Sequence, residues 1–130
     1  MLAPTSKSCF WESLDLHLGC LANLPPDWNS YGAQPPNEAA LALARKVLAK
    51  AREADMVPDR IDASADDGVA ICFLRGSNYA DIECFNSGEI AAVTHVRCGK
   101  YVPDAWDVGE GDISLALDKI RKFLGRQSCC

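Results

Sequence analysis

A proline-rich segment, residues 25–36 (PPDWNSYGAQPP), interrupts the first part of this 130-residue chain. Four of its twelve residues are prolines, and they flank two large aromatic residues and a glycine. A proline has no amide hydrogen to donate within a helix, and it also restricts the residue before it. The segment therefore predicts a connector between two separate helices and excludes one long N-terminal helix.

Apolar residues recur at helical spacing on both sides of this connector. The first helix is predicted to begin at Ser6 or Ser8 and to end near Ala22. Its buried face is expected to consist of Phe10, Leu14, Leu18 and Leu21. Asn37 is well suited to cap a second helix over residues 38–54, which is rich in alanine, leucine and charged residues.

The middle of the chain changes to short apolar runs separated by turn residues. Three strands are predicted at residues 69–74, 79–85 and 90–96, joined by hairpins. A short edge strand is also expected at residues 60–63. Residues 98–111, which contain three glycines and a proline, are predicted to form a long connector.

A third helix is expected from Asp112 to about Leu124, so helices and strands come in runs and do not alternate. This order predicts an α+β fold, with two N-terminal helices, a three- to four-stranded antiparallel meander and a C-terminal helix. The helices are expected on one face of the sheet. We expect a single domain over residues 1–130, ordered over about 6–124, with a frayed tail at 125–130.

Two-residue hairpin loops would fix which side chains share a face of the sheet. The face toward the helices is then predicted to hold Val69, Ile71, Phe73, Ala80, Ile82, Cys84, Ala91, Val93 and His95. The other face is predicted to hold Ala70, Cys72, Leu74, Tyr79, Asp81, Glu83, Phe85, Ile90, Ala92, Thr94 and Val96. A slip of one residue would move a whole strand's side chains to the opposite face.

Charge is concentrated in residues 53–118, which hold fourteen acidic and four basic residues, a net charge of −10. An acidic surface argues against direct nucleic-acid binding and favours a protein partner with a basic surface. Charged and aromatic residues in this part, together with an aromatic of the connector, are the candidate partner-binding residues. They are Asp81, Glu83, Asp104, Trp106, Asp107, Glu110 and Tyr31.

No catalytic, metal or cofactor motif stands out. The seven cysteines include no C-x-x-C pair, and reduced thiols are expected, with Cys129 and Cys130 exposed at the chain end. A Cys–His site would need His95 beside Cys20 or Cys84, but a structural histidine is the favoured interpretation. The acids at residues 62–67 lack the ordered spacing of a calcium loop, so no metal and no cofactor are expected.

The aromatic residues of the connector have two interpretations. Trp28 and Tyr31 could wedge between helices and sheet, with Gly32 supplying a special backbone angle, which is favoured for Trp28. Alternatively, Trp28, Tyr31 and Trp106 could form an exposed binding patch.

The segment Trp28-Asn29-Ser30-Tyr31-Gly32, between two helices and before a β-meander, resembles a family of small bacterial or phage-linked proteins without assigned activity. The resemblance covers about residues 14–97, and W-[ND]-x-Y-G is its one distinctive motif. It implies the same order of elements and a bacterial or phage setting, and it transfers no catalytic residues.

These observations predict a small, non-enzymatic binding module of bacterial or phage origin. It would inhibit or neutralise a basic-surfaced protein, in the manner of an anti-CRISPR or an antitoxin. The alternatives are a structural or regulatory homodimer formed through the outer sheet face, or an enzyme with an unrecognised Cys–His site. No apolar run long enough for a membrane span and no signal-peptide pattern occurs, so a cytoplasmic location is expected.

Overall fold

The computed structural model describes residues 6–99 and 102–126, with side chains from residue 9 onward. Helices α1 (Ser6–Leu21) and α2 (Glu38–Glu53) precede five strands. A 3₁₀ turn (Glu110–Asp112) then leads into helix α3 (Ile113–Leu124). The strands are β1 (Arg60–Ser64), β2 (Gly68–Arg75), β3 (Asn78–Phe85), β4 (Ile90–Val96) and β5 (Asp104–Val108). The predicted α+β class is confirmed.

The sheet is an antiparallel meander in the order β1-β2-β3-β4-β5. Five strands replace the three or four expected, because β5 lies within the residues 98–111 predicted to form a connector. The β5 sequence, Asp-Ala-Trp-Asp-Val, is short and carries two charges, which is typical of an edge strand that must resist further pairing. Pairing with β4 along its whole length supplies the hydrogen bonds that the isolated sequence does not reveal.

The hairpin between β3 and β4 has a different register from the predicted one. Cys84 pairs with Ile90, and the Phe85 amide donates to the Glu89 carbonyl at 2.9 Å. Gly88 has a φ of +93°, as in a three-residue loop that ends in a glycine bulge. This extra loop residue shifts β4 by one position. Ile90, Ala92 and Thr94 therefore face the helices, whereas Ala91, Val93 and His95 face away from them.

All three helices pack on one face of the sheet, which we call the inner face. One buried apolar cluster combines residues of the three helices with inward-facing residues of all five strands. The inward placement predicted for β2 and β3 is confirmed: Val69, Ile71, Phe73, Ala80, Ile82 and Cys84 are all buried. On α1, Phe10 is 40% exposed and Trp11 only 6% exposed, so Trp11 replaces the predicted Phe10. Trp11 shares the stripe of Leu14 because it lies three positions away on the helix.

Polar contacts attach the connector between α1 and α2 to two turns of the sheet. The amide of Gln34 donates to Oδ1 of Asp67, in the β1–β2 turn, at 2.7 Å. In the β3–β4 turn, Oδ1 of Asn86 accepts from the Asn37 amide at 2.9 Å, and its Nδ2 donates to the Pro35 carbonyl at 3.1 Å. Asn37 also caps α2, as predicted, by accepting from the Ala40 amide. Side-chain amides and carboxylates, rather than aromatic packing, therefore hold the corner.

Trp28 is half-buried and does not belong to the buried cluster. Its indole Nε1–H donates to the Gln34 carbonyl at 3.3 Å, and Tyr31 is 91% exposed. The interpretation of these aromatics as a wedge between helices and sheet is therefore wrong. Gly32 does have a special backbone angle, with φ +88°. The loop around it is held by side chains, because Oδ1 of Asp27 accepts from the Gly32 amide at 2.5 Å.

Cys98 is disulfide-bonded, which corrects the expectation that every thiol is reduced. Cys9, Cys20, Cys72 and Cys84 are free. The predicted exposure of Cys129 and Cys130 falls outside the described residues. Of the tail predicted to fray, residues 125–126 are described, and there the Arg126 carbonyl accepts from the Asn78 side chain at 3.0 Å.

Candidate functional site on the outer face of the sheet

The face of the sheet opposite the helices, which we call the outer face, is not covered by any described helix. Strand pairing arranges its side chains in rows that run across the sheet. One row consists of Arg60, Cys72, Asp81, Val93 and Ala105. The next row consists of Asp62, Ala70, Glu83, Ala91 and Asp107. Two carboxylates on the central strand β3 thus lie in the middle of a face composed largely of small and apolar side chains.

Asp81 is the most deeply buried acidic side chain of this face, at 8% exposure. Its Oδ2 accepts a hydrogen bond of 2.5 Å from the Tyr79 hydroxyl, but its Oδ1 is buried without any partner. Burial raises the pKa of Asp81, while the hydrogen bond from Tyr79 partly opposes that rise. A buried carboxylate oxygen without a donor is unfavourable, so a donor that reached this atom would stabilise the charged carboxylate.

Glu83 lies two residues further along β3 and is half-buried. Its Oε1 accepts a hydrogen bond of 2.7 Å from the Ser64 hydroxyl, at the end of β1. Burial raises the pKa of Glu83, the Ser64 hydrogen bond lowers it, and the charges of Asp81 and Asp66 raise it further. Each of the two β3 carboxylates therefore has one internal donor and keeps accepting capacity for an external one.

Ion pairing distinguishes these two carboxylates from Asp62, an acid of the same face. On the outer face, Asp62 binds Arg60, with 2.6 Å between Oδ2 and Nε. Within the described part of the chain, Asp81 and Glu83 form no ion pair. The guanidinium of Arg60, which lies in the same row as Asp81, is thus already engaged by a different carboxylate.

Aromatic side chains flank the two carboxylates along the same strand. Tyr79, Asp81, Glu83 and Phe85 alternate with inward-facing residues and form one line on the outer face, which we call the β3 stripe. Tyr79 and Phe85 are both half-buried. The Tyr79 hydroxyl also lies 3.5 Å from Sγ of Cys72, and burial is the main reason why the pKa of Tyr79 is raised. The stripe combines two acceptors with two π faces.

Among the other predicted partner-binding residues, three lie on the helix side of the β5 edge. Asp104 pairs with Lys119, whose ammonium also lies 3.8 Å from the centre of the Trp106 ring. Glu110 forms an ion pair with Lys46 of α2. These contacts join β5 and the 3₁₀ turn to the helices, and each of the two acids already has a cationic partner in an exposed ion pair.

The remaining two predicted residues lie elsewhere. Asp107 is exposed on the outer face, at the β5 end of the row that contains Glu83. Tyr31 projects from the connector loop, and its backbone amide donates to Oδ1 of Asn29 at 2.9 Å. The structure thus brings Asp81, Glu83 and Asp107 together on one face and separates them from the other four.

The sheet keeps the residues of the proposed Cys–His site apart. Cys84 is buried on the inner face, whereas His95 lies on the outer face, opposite Tyr79. This placement corrects the expectation that His95 faces the helices. Cys20 lies exposed on α1, among the helices that cover the inner face. Residues 6–99 and 102–126 also contain no group of three or more His, Cys, Asp or Glu side chains that could hold a metal ion.

The chain matches no protein family model, no curated protein and no solved structure. The family resemblance suggested by the Trp28–Gly32 segment therefore stays a prediction. Within the described residues, no helix combines the length and the apolar character required to cross a bilayer.

Sequence reasoning selected both β3 carboxylates but missed the residues that support them. The predicted site omits Ser64, Tyr79 and Phe85, although the two aromatic residues are predicted on the outer face. The alternation Tyr79-Asp81-Glu83-Phe85 was a usable signal, because period-two spacing puts all four on one face. The Ser64 contact could not be predicted, since it joins strands that are not neighbours in the sheet.

Proposed function

We propose that this protein is a non-enzymatic binding module that inhibits or neutralises another protein by docking its outer sheet face onto a basic surface. The observation that carries the proposal is the pair Asp81 and Glu83, two partly satisfied carboxylates without an internal ion pair. They lie at the centre of a face that no described helix covers.

Electrostatics supports a cationic partner. Burial raises the pKa of both carboxylates, which means that the free protein stabilises their charged forms less well than water does. A cation placed against them would remove that penalty, and Coulomb attraction is stronger at a desolvated interface than in water. The anti-CRISPR-like and antitoxin-like roles expected from the sequence fit this mode of action, because proteins that handle nucleic acids present basic surfaces.

A homodimer through the same face is less well supported. Two copies packed outer face to outer face would bring two Asp81–Glu83 pairs toward each other. Like charges in a desolvated interface are unfavourable, unless a basic residue of the second copy intervenes. The outer-face arginine that could do so, Arg60, is bound to Asp62 within its own chain.

The test is quantitative capture followed by affinity measurement. Immobilised protein is exposed to a lysate of its source organism, and each recovered protein is purified and titrated against three forms of the bait. These are the unmodified chain, the pair Asp81→Asn with Glu83→Gln, and the control pair Glu53→Gln with Asp118→Asn. Both pairs remove two negative charges, but Glu53 and Asp118 are exposed on helices and pair with neighbouring lysines.

We expect a partner whose affinity falls by at least about tenfold with the β3 pair and by less than about twofold with the helix pair. Circular dichroism and thermal unfolding would verify that all three forms fold. A partner that binds the β3 pair as tightly as the unmodified chain would overturn the proposal. Light scattering of the unmodified chain would reveal a stable dimer, the competing occupant of this face.

A further inference from the structure

We infer that the partner's central contact with the β3 stripe is an arginine side chain, whose guanidinium group is received between Asp81 and Glu83. This inference rests on the proposed function and specifies the residue that the partner supplies. It concerns only the outer face and assigns no role to the acidic residues near β5.

The donor requirements of the two carboxylates favour a guanidinium. Asp81 and Glu83 are two residues apart on one strand, so their Cα atoms are separated by about 7 Å. Tyr79 and Ser64 each occupy one oxygen of the pair, and Oδ1 of Asp81 has no donor. A guanidinium presents five N–H groups in one plane and can bridge two carboxylates. A lysine ammonium directs three N–H groups from a single nitrogen and is more strongly hydrated.

The neighbours of Glu83 leave room for a flat group. In the register of the sheet, Glu83 lies between Ala70 on β2 and Ala91 on β4. The methyl side chains on both sides are much shorter than the glutamate side chain between them. At the ends of the stripe, the rings of Tyr79 and Phe85 offer surfaces on which a guanidinium can stack. Stacking favours arginine over lysine further, because the guanidinium is planar and weakly hydrated.

Access to Oδ1 of Asp81 requires a local movement of side chains, because this atom is buried in the free protein. The Tyr79 hydroxyl bonds Asp81, two residues away on the same face, so the phenol ring leans along β3 toward the carboxylate. Glu83 is half-buried and is therefore the first contact for an incoming cation. The same guanidinium reaches Oδ1 of Asp81 when the surrounding side chains shift, while the Tyr79 hydroxyl keeps its bond to Oδ2.

The inference is tested with defined probes and two-dimensional amide NMR of the full chain at low ionic strength. The probes are two blocked tripeptides that differ only at the central residue, acetyl-Gly-Arg-Gly-amide and acetyl-Gly-Lys-Gly-amide. We expect the arginine probe to shift amide signals of β2, β3 and β4, with a dissociation constant at least about five times lower than that of the lysine probe. The shifts should disappear with Asp81→Asn plus Glu83→Gln and persist with Glu53→Gln plus Asp118→Asn.

A further variant separates stacking from charge. Phe85→Leu leaves both carboxylates in place and should reduce the preference for arginine without abolishing binding of either probe. The arginine inference would be overturned if both probes bound with equal dissociation constants and neither bound the Asp81→Asn plus Glu83→Gln variant. The acidic docking surface would still be supported by that result. Peptide shifts that are unchanged by the β3 pair, or no binding of either probe at millimolar concentration, would overturn the inference as well. Partner capture that is insensitive to the β3 pair would overturn the proposed function itself.

Discussion

The hydroxyl group of Tyr79 donates a 2.5 Å hydrogen bond to Oδ2 of Asp81, two residues further along the central strand of the sheet. The same hydroxyl lies 3.5 Å from Sγ of Cys72 on the neighbouring strand. Asp81 therefore has one satisfied oxygen and one buried oxygen without a partner. The unsatisfied oxygen affects the stability of the sheet and the ionisation of Asp81, and it is the atom that the proposed cation would contact.

Replacing Tyr79 by Phe should raise the pKa of Asp81 above its value in the unmodified protein. Burial raises the pKa of Asp81, and the hydrogen bond from Tyr79 lowers it by favouring the charged carboxylate. Without that hydrogen bond, the effect of burial would be unopposed. Carbon-13 NMR of the labelled aspartate carboxyl groups across a pH titration measures the change. The labelled carboxyl group of Asp118, which is exposed on α3, serves as the internal reference. A pKa of Asp81 that stays the same or falls would contradict the assignment of this bond.

Replacing Asp81 by Asn should stabilise the fold at neutral pH but not at acid pH. Burial raises the pKa of Asp81 in the folded protein above its ordinary value of 3.8, which applies to the unfolded chain. Between these two pKa values the folded state binds more protons than the unfolded state, so the free energy of unfolding falls as pH rises. The asparagine variant lacks this loss and should be more stable by on the order of 1 kcal/mol at pH 7.

Urea unfolding of both proteins from pH 3 to pH 8 measures this difference. The other titratable groups near Asp81 are Tyr79, Glu83, Cys72 and Arg60, and they are identical in the two proteins. Tyr79, Cys72 and Arg60 have raised pKa values and do not titrate between pH 3 and pH 8, so they cancel in the comparison. The pKa of Glu83 should fall in the asparagine variant, because the charge of Asp81 raises it in the unmodified protein. A difference that stays constant over the whole pH range would show that Asp81 does not titrate in the folded state as described.

Two tryptophan substitutions should differ strongly in their effect on stability. Trp11 is 6% exposed within the buried cluster, so Trp11→Ala should lower the free energy of unfolding by about 3–5 kcal/mol. Trp28 lies outside that cluster and donates one hydrogen bond to the Gln34 carbonyl. Trp28→Ala should therefore cost about 1 kcal/mol. Urea unfolding at one pH compares the two, and a larger loss for Trp28 would restore it as an anchor of the core.

Thiol labelling should divide the four cysteines that are free in the described part of the chain into two classes. Cys9 and Cys20 are exposed, whereas Cys72 and Cys84 are buried. Burial raises the pKa of Cys72 and raises that of Cys84 to about 12, which leaves few reactive thiolates. Iodoacetamide should modify Cys9 and Cys20 in the folded protein and the buried pair only after unfolding, as measured by peptide mass spectrometry. Rapid modification of Cys84 in the folded protein would contradict its placement on the inner face.

Local signals predicted most of the regular elements. The Asn37 cap and the start of α2 follow from residue types at adjacent positions, and β4 has the predicted bounds. β5 was missed because Asp104–Val108 becomes a strand through pairing with β4, a contact that its own five residues do not encode strongly. The predicted face of β4 is wrong because the loop that ends at Gly88 has one residue more than predicted. This extra residue moves every β4 side chain to the opposite face.

The sequence by itself determined the class of fold, the acidity of the middle of the chain and the shared face of Asp81 and Glu83. Each of these depends on composition or on spacing along one element. Only the tertiary structure decided that Lys46 and Lys119 neutralise acids near β5, while Asp81 and Glu83 form no ion pair in the described part of the chain. It also decided that the aromatic residues of the connector lie outside the core. Ion pairs and burial depend on which distant segments meet, and local patterns carry little information about such contacts.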